Sequence, residues 1–199
     1  IGTSKINTFN FDIHTWDTSS VTKMDGMFKS CLDFNQNISE FDLSKVTTVV
    51  SMFASATAFN NDISKFDVSK VTSFQGMFGS ASSFNNDVSK WDVSEATTLQ
   101  YMFYAATSFN GDVSKWEVSK VTSLEATFYD AKMFDRDLSK WVVSKVTTLY
   151  LTFAGYAANV VFNQDLSKWD ISRVTTLAST FKKATHFNQV RSRKSCYYQ

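Results

Sequence analysis

A phenylalanine recurs along this chain at a fixed interval, and that interval constrains the fold more than any other feature. It returns every 25 residues, with a single step of 28, at Phe9, Phe34, Phe59, Phe84, Phe109, Phe134, Phe162 and Phe187. A constant period between about 20 and 50 residues is typical of proteins built from stacked repeats. We therefore predict one repeat array over residues 1–189, followed by a divergent tail over residues 190–199.

The first half of each repeat has the pattern of a short strand. Counting from the recurring phenylalanine as zero, position +7 is Trp or Phe in the seven full repeats, and +9 is apolar in all but the first. Positions +6 and +8 are usually Lys and Asp. Alternation of this kind predicts a strand with one buried face, for example at Ser64–Val68, which would pair in parallel with its equivalents.

The second half of each repeat has the spacing of a short helix. Apolar residues fall at +12, +15, +18 or +19, and +22, and a threonine at +13 suggests a helix cap. This predicts helices such as Ser73–Ala81 and Thr98–Ala106. The predicted fold class is an α/β repeat: a right-handed, leucine-rich-repeat-like solenoid of about seven coils, each with a short parallel strand and a short helix.

The repeat text itself resembles a known family. The pattern Phe-Asn-x-Asp-Ile-Ser-Lys-Trp-Asp-Val-Ser-Lys-Val-Thr-x-Leu-x-x-Met-Phe, clearest in residues 59–128, is similar to the 25-residue repeat of BspA-like surface proteins, also called the DUF285 or mycoplasma lipoprotein-associated repeat. The resemblance implies a leucine-rich-repeat-like fold and a cell-surface or secreted protein with a role in adhesion and protein binding. No catalytic residues accompany that family.

Composition and spacing argue against several classes of function. With 20 Lys+Arg and 19 Asp+Glu the chain is nearly neutral, so a general electrostatic attraction to nucleic acid is not expected. No apolar run approaches the roughly 18 residues that span a bilayer. His14 and His186 lie near opposite ends of the array, and no nucleophile has a base beside it. We therefore expect a protein that is not an enzyme and has no cofactor.

Two polar columns leave an alternative open. Asn and Asp at +1 and +3 are interpreted as Asx turns, with structural Ca²⁺ binding as the alternative because stacked carboxylates can hold that ion. Lysines at +6 and acidic residues at +8 are interpreted as a neutralised, solvated surface, with a ligand site as the alternative. The basic run Arg191–Lys194 is interpreted as a linker or disordered end, with a nucleic-acid or membrane contact as the alternative.

One group of residues breaks the repeat on its outer face. Other repeats have Gly, Ser, Ala, Lys or Asp at most of these positions, and the members of the group are Tyr101, Tyr104, Tyr129, Tyr150, Leu151 and Tyr156. Large amphipathic side chains gathered on neighbouring repeats predict a contact site for a protein partner. Burial under the inserted segment Gly155–Val161 is the alternative.

The sequence thus favours a binding or adhesion module of a surface or secreted repeat protein. The alternative is a scaffold subunit fixed in a larger assembly, for example as a peripheral subunit of an organellar or membrane complex. The identity of the protein partner cannot be read from the repeats, because they encode the shape of a surface and not its ligand.

Overall fold

Seven coils stack in chain order, one for each full repeat. The computed structural model describes residues 8–189, and the fold is described for that range. The residues at +14 of successive coils form six isolated parallel bridges: Lys23–Thr48, Thr48–Ser73, Ser73–Thr98, Thr98–Ser123, Ser123–Thr148 and Thr148–Thr176. Between residues 8 and 189 the chain contains no helix and no strand longer than these bridges. We call the coils 1 to 7, beginning at Phe9 and ending with the one that begins at Phe162.

The predicted helices are wrong, because the second half of each coil is a series of tight turns. In coil 3 the amide of Met77 donates to the carbonyl of Phe74, three residues back, at 3.1 Å. The next amide, that of Phe78, donates instead to Met102 in the following coil at 2.9 Å. Amides therefore alternate between a partner three residues back and a partner in the next coil, whereas an α-helix directs every amide four residues back.

Backbone dihedral angles explain why the turns do not merge into a helix. Residues at +17 and +21 have a positive φ in all seven coils, with the exception of Gly155. They are Gly26, Ser30, Ser51, Ser55, Gly76, Ser80, Tyr101, Ala105, Ala126, Asp130, Leu151, Ser179 and Lys183. A helix needs a negative φ at every residue, so one such residue in each turn interrupts it.

The predicted strands are also misplaced. Ser64 and Lys65 form a turn, closed by a 3.1 Å bond from the Phe66 amide to the Ile63 carbonyl. The alternation of burial that suggested a strand is nevertheless real, since Phe66 and Val68 are buried and their neighbours are not. The chain is therefore not an α/β solenoid with a strand and a helix in each coil. The parallel direction of pairing is as expected, but it occurs at +14 and as isolated bridges.

Aromatic columns fill the core as the repeat predicts. The phenylalanine at zero stacks on the phenylalanine at +19 of the preceding coil, as for Phe109 on Phe103 with centroids 3.8 Å apart. Trp91 is buried, and its indole nitrogen donates to the Ile63 carbonyl of the preceding coil at 3.1 Å. The prediction that Trp91 and Phe103 are core residues is confirmed.

Polar ladders join the coils outside the core. Each threonine at +13 donates its hydroxyl to the carbonyl of the threonine one coil earlier, as Thr97 does to Thr72 at 3.0 Å. The predicted helix caps are therefore wrong, since these hydroxyls have another partner. The residue at +1 accepts a bond from the equivalent amide one coil later, as Asn85 does from Asn110 at 2.8 Å.

Threonines replace methionine at +18 in the last three coils, and the structure shows how they fit. They are Thr127, Thr152 and Thr180, and all are buried. Thr127 donates its hydroxyl to the carbonyls of Leu99 and Leu124, at 3.0 and 2.9 Å. A buried hydroxyl therefore costs little here, because it is satisfied by main-chain oxygens. The tail predicted over residues 190–199 lies outside the described residues, as do residues 1–7.

Candidate interaction surface

The six residues that break the repeat lie on the turn series of coils 4 to 6. Tyr101 and Leu151 occupy +17, one of the positions with positive φ (58° and 57°). Tyr104 and Tyr129 occupy +20 in adjacent coils, and Tyr150 occupies +16. Tyr156 is the second residue of the inserted segment Gly155–Val161. We refer to Tyr101, Tyr104, Tyr129, Tyr150, Leu151 and Tyr156 together as the tyrosine surface.

Stacking brings three of these rings together. The rings of Tyr104 and Tyr129 are parallel within 8°, with centroids 4.8 Å apart. Tyr101 meets Tyr104 edge to face at 5.9 Å and 72°. Both geometries are favoured between aromatic side chains, so the three rings form one aromatic ridge across coils 4 and 5.

The pKa values of two phenols report their surroundings. The Tyr101 hydroxyl donates to a Glu125 carboxylate oxygen at 2.5 Å, and this bond, with smaller effects of burial and neighbouring charge, raises the pKa of Tyr101 to about 12. Burial raises the pKa of Tyr129, with added effects of Tyr104, Asp130, Tyr156 and Tyr150. Tyr150 and Tyr156 therefore lie within electrostatic range of the aromatic ridge.

The inserted segment is fixed by residues that the sequence analysis did not select. The Tyr156 amide donates to Oδ1 of Asp130, a buried carboxylate, at 3.1 Å. A Cβ on Gly155 would lie 2.6 Å from the Cγ2 atom of Val160, so only glycine fits at this bend. Asp130 stands at +21, where the earlier coils carry Ser or Ala, and that change was the available signal.

Exposure differs among the members of the tyrosine surface. Tyr156 is 84% exposed and Tyr150 is 39% exposed. Tyr101, Tyr104 and Tyr129 are half-buried, as is Leu151. The insertion itself remains largely in solvent, with residues 156–159 exposed. The tyrosine surface thus combines a half-buried ridge with two rings that project into solvent.

The aspartates at +3 form Asx turns, as one of the two interpretations predicted, but the residues at +1 do not fit it, because their side-chain oxygens accept an amide of the next coil, as Asn85 does from Asn110. Asp87 accepts the Ser89 amide at 2.8 Å, and bonds from the Ser89 amide and hydroxyl lower the pKa of Asp87. Asp92 accepts the Ser94 amide at 3.0 Å in the same way. Within residues 8–189 no three His, Cys, Asp or Glu side chains are grouped so that they could hold a metal ion.

The lysine and acidic columns do not pair as expected. Among the described residues, the ion pairs are Lys120–Glu95 at 2.7 Å, Lys132–Asp130 at 3.9 Å and His14–Asp12 at 2.7 Å. The acidic residues at +8 bond instead to serine amides two residues on. Within the described residues, the lysines at +6 therefore do not neutralise the acidic residues at +8 by direct contact.

Two open cavities lie at coil 1, away from the tyrosine surface. Their linings include Trp16, Met24 and Met27 in one and Trp16, Phe28 and Cys31 in the other. Trp16 is 49% exposed there, whereas the equivalent Trp91 of coil 4 is 4% exposed. Among the described residues, these cavities are lined by side chains of the coil 1 core columns.

Comparison with protein-family models identifies the family of this chain. The family model described as "Mycoplasma protein of unknown function, DUF285" matches residues 3–114, 60–160 and 108–195, and so nearly the whole chain. The chain belongs to the DUF285 family. The overlapping matches agree with a repeat that runs through the chain. Neither a curated protein nor a solved structure matches this DUF285 chain.

The described part of the chain contains no helix with the length and apolar character needed to cross a membrane.

Proposed function

We propose that this DUF285 chain is a non-enzymatic protein-binding module that contacts its partner through the tyrosine surface. The observation that carries the proposal is the gathering of five of the seven tyrosines on coils 4 to 6. Most of the equivalent outer positions in coils 1 to 3 carry small or polar residues, for example Ser51, Gly76 and Gly79. Core columns recur because every coil has the same packing need, so a departure confined to outer positions calls for another cause.

The physical character of the tyrosine surface supports this role. A tyrosine ring buries a large area with few torsions to restrict, and its hydroxyl keeps a hydrogen bond at the edge of a contact. Tyrosine is enriched among the residues that dominate binding energy. The half-buried ridge is preorganised by ring stacking, which lowers the entropy cost of ordering it on binding.

The proposal also includes a cellular location for the protein. Membership of a family named for Mycoplasma proteins is compatible with the cell surface, so adhesion at the surface, or in secreted form, is the setting we propose. A scaffold subunit in a larger assembly would use the same tyrosine surface, but toward a permanent partner.

Selection from a random-peptide display library tests the proposal without a known partner. The folded chain is immobilised and panned, and the selected peptides are assayed against a variant with Tyr104, Tyr150 and Tyr156 changed to Ser. We expect most selected peptides to lose binding to that variant. Because a contact aromatic at an interface hot spot is worth 2 kcal/mol or more, the loss should exceed about tenfold.

A matched control removes exposed apolar side chains elsewhere on the same coils. Met133 and Val142 are 55% and 49% exposed and are not part of the tyrosine surface. The variant with both changed to Ser should bind the selected peptides as the parent does. If the selected peptides bind the tyrosine variant normally, or if they depend on Met133 and Val142 instead, the proposal is wrong.

A further inference from the structure

The tyrosine surface offers hydrogen-bond donors that nothing in the described chain uses. Among residues 8–189, the hydroxyls of Tyr104, Tyr129, Tyr150 and Tyr156 make no hydrogen bond to protein. Tyr101 differs, because its hydroxyl is bonded to Glu125. A neutral phenol is both a donor and an acceptor, but its O–H is the stronger partner for a carbonyl oxygen. The surface therefore presents four uncommitted phenols.

The backbone amides of the tyrosine surface, by contrast, all donate hydrogen bonds within the chain. The amides of Tyr101 and Leu151 donate to the next coil, to Glu125 at 2.9 Å and to Ala178 at 3.3 Å. The amides of Tyr104 and Tyr129 close local turns at 3.1 and 3.2 Å. The Tyr150 amide bonds to the Thr148 hydroxyl at 3.2 Å. A partner cannot bind here by adding a strand, since that mode needs free amides along an edge.

Charged groups at this site are engaged as well. Glu125 accepts the Tyr101 hydroxyl. Asp130 accepts the Tyr156 amide through Oδ1, and its Oδ2 atom lies 3.9 Å from Lys132 Nζ. No arginine is among these contacts, and arginine clusters are what recognition of phosphorylated peptides requires. These contacts favour recognition through aromatic faces and phenol donors over recognition of a phosphate group.

We propose that the bound segment is a proline-rich peptide in the polyproline II conformation. This rests on the proposed function of the tyrosine surface as a protein-binding site. Such a segment exposes its carbonyl oxygens, and its prolines have no N–H, so it can accept bonds from the free phenols and has no donors of its own to satisfy. Its pyrrolidine rings pack on aromatic faces, and its preformed shape reduces the entropy lost on binding.

A sugar chain is the main competing ligand for exposed tyrosine rings. Its hydroxyls both donate and accept, so it needs acceptors as well as donors on the surface. Glu125 and Asp130 each already accept a bond from within the chain, so a sugar would have to use their remaining lone pairs or the phenol oxygens. A proline-rich segment needs only the phenol donors, and the titration below separates the two ligands.

Titration of the whole chain with three defined probes tests the inference. The probes are fluorescently labelled decaproline, a labelled Gly-Ser peptide of equal length, and maltohexaose. We expect saturable binding of decaproline, with at least about tenfold weaker binding of the other two. The comparison at equal length separates recognition of the polyproline conformation from general peptide binding.

Variants of single hydroxyls make the test specific. Tyr150→Phe and Tyr156→Phe keep the ring and remove only the donor, so each should weaken decaproline binding several-fold. The variant with Met133 and Val142 changed to Ser is the matched control, because both side chains are exposed and lie outside the tyrosine surface, and decaproline binding should not change. The fold is not at issue, since the rings of Tyr150 and Tyr156 are exposed.

Each contrary outcome has a definite meaning. If library selection yields peptides that depend on the tyrosine surface but decaproline does not bind, this inference is overturned and the proposed function stands. If maltohexaose binds in preference to decaproline, the ligand is carbohydrate and the inference is wrong. If nothing binds through the tyrosine surface in either experiment, both proposals fall.

Discussion

Removing the ring of Phe103 should destabilise the chain strongly, because that ring is enclosed by four others. Phe103 is 0% exposed. It stacks on Phe109 with centroids 3.8 Å apart, and on Phe78 and Phe128 at 5.6 and 5.7 Å in the adjacent coils. Trp116 lies 6.3 Å away. Ala at this position would leave a cavity that stacked coils above and below cannot close easily.

The expected loss follows from these contacts. Truncation of a core phenylalanine to alanine costs about 3–5 kcal/mol of unfolding free energy. Four aromatic neighbours place Phe103→Ala in the upper half of that range, at about 4–5 kcal/mol. At about 2–4 °C per kcal/mol for a chain of this size, the melting temperature should fall by roughly 8–20 °C.

Urea unfolding and thermal melting of the two variants provide the assay. Phe11→Ala is the matched control, since Phe11 is 72% exposed, and it should change the unfolding free energy by less than about 1 kcal/mol. Because each coil rests on its neighbours, hydrogen exchange should also speed up in the coils that begin at Phe59 and Phe109. A loss below about 1 kcal/mol for Phe103→Ala, or one equal to that of Phe11→Ala, would refute the column account of the core.

Two further predictions concern titrating groups. The bonds from Ser89 lower the pKa of Asp87 below its ordinary 3.8, so their stabilisation is full above that pH and is lost as pH falls below it. The Asp87→Asn variant should therefore have the melting temperature of the parent at neutral pH, and that temperature should fall less in acid than the parent's does. Asparagine can form this turn, since Asn37 accepts the Ser39 amide at 3.0 Å in the same way. Glu125→Gln should bring the pKa of Tyr101 down from about 12 toward 10.0, seen as earlier phenolate absorbance in an alkaline titration. Because the pKa of Tyr101 is raised, its bond to Glu125 stabilises the fold below pH 10.0, and this contribution is lost as pH rises through about 12. If Glu125→Gln leaves the titration of Tyr101 unchanged, the bond is not the cause of the raised pKa.

The core was predictable because each coil repeats the same packing need. Columns such as the one containing Trp91 could be read directly from recurrence, and their burial is confirmed. The Asx turns were equally visible, since Asp followed two residues later by Ser is a local pattern that needs no distant partner.

The helices were wrongly predicted because two structures share one spacing. Apolar residues three or four apart suit a helix face, but they also suit consecutive turns closed by bonds to the third residue back. The distinguishing signal was the small residue at +17 and +21, as at Gly76 and Ser80, where the backbone takes a positive φ. Bulky Tyr101 and Leu151 at +17 obscured that signal, because such residues rarely adopt this conformation.

The residues of the tyrosine surface could be identified from the sequence because they depart from the repeat. The hydrogen bonds that hold them in place could not. The 3.1 Å bond from the Tyr156 amide to Asp130 joins the insertion to the preceding coil, and periodicity cannot predict a contact that occurs once. The bond from Tyr101 to Glu125 likewise depends on which side chains meet between neighbouring coils. Single contacts of this kind need the structure, whereas columns do not.

Tyrosine-labelled NMR provides the most direct test of the tyrosine surface as the contact site. The chain has seven tyrosines, and the two outside the surface are Tyr197 and Tyr198, so the ring signals form a small set with internal controls. A peptide selected on the parent chain is added to saturation. We expect the ring signals of Tyr104, Tyr150 and Tyr156 to shift while those of Tyr197 and Tyr198 stay in place. Shifts confined to Tyr197 and Tyr198, or no shift of any ring at saturation, would contradict the account.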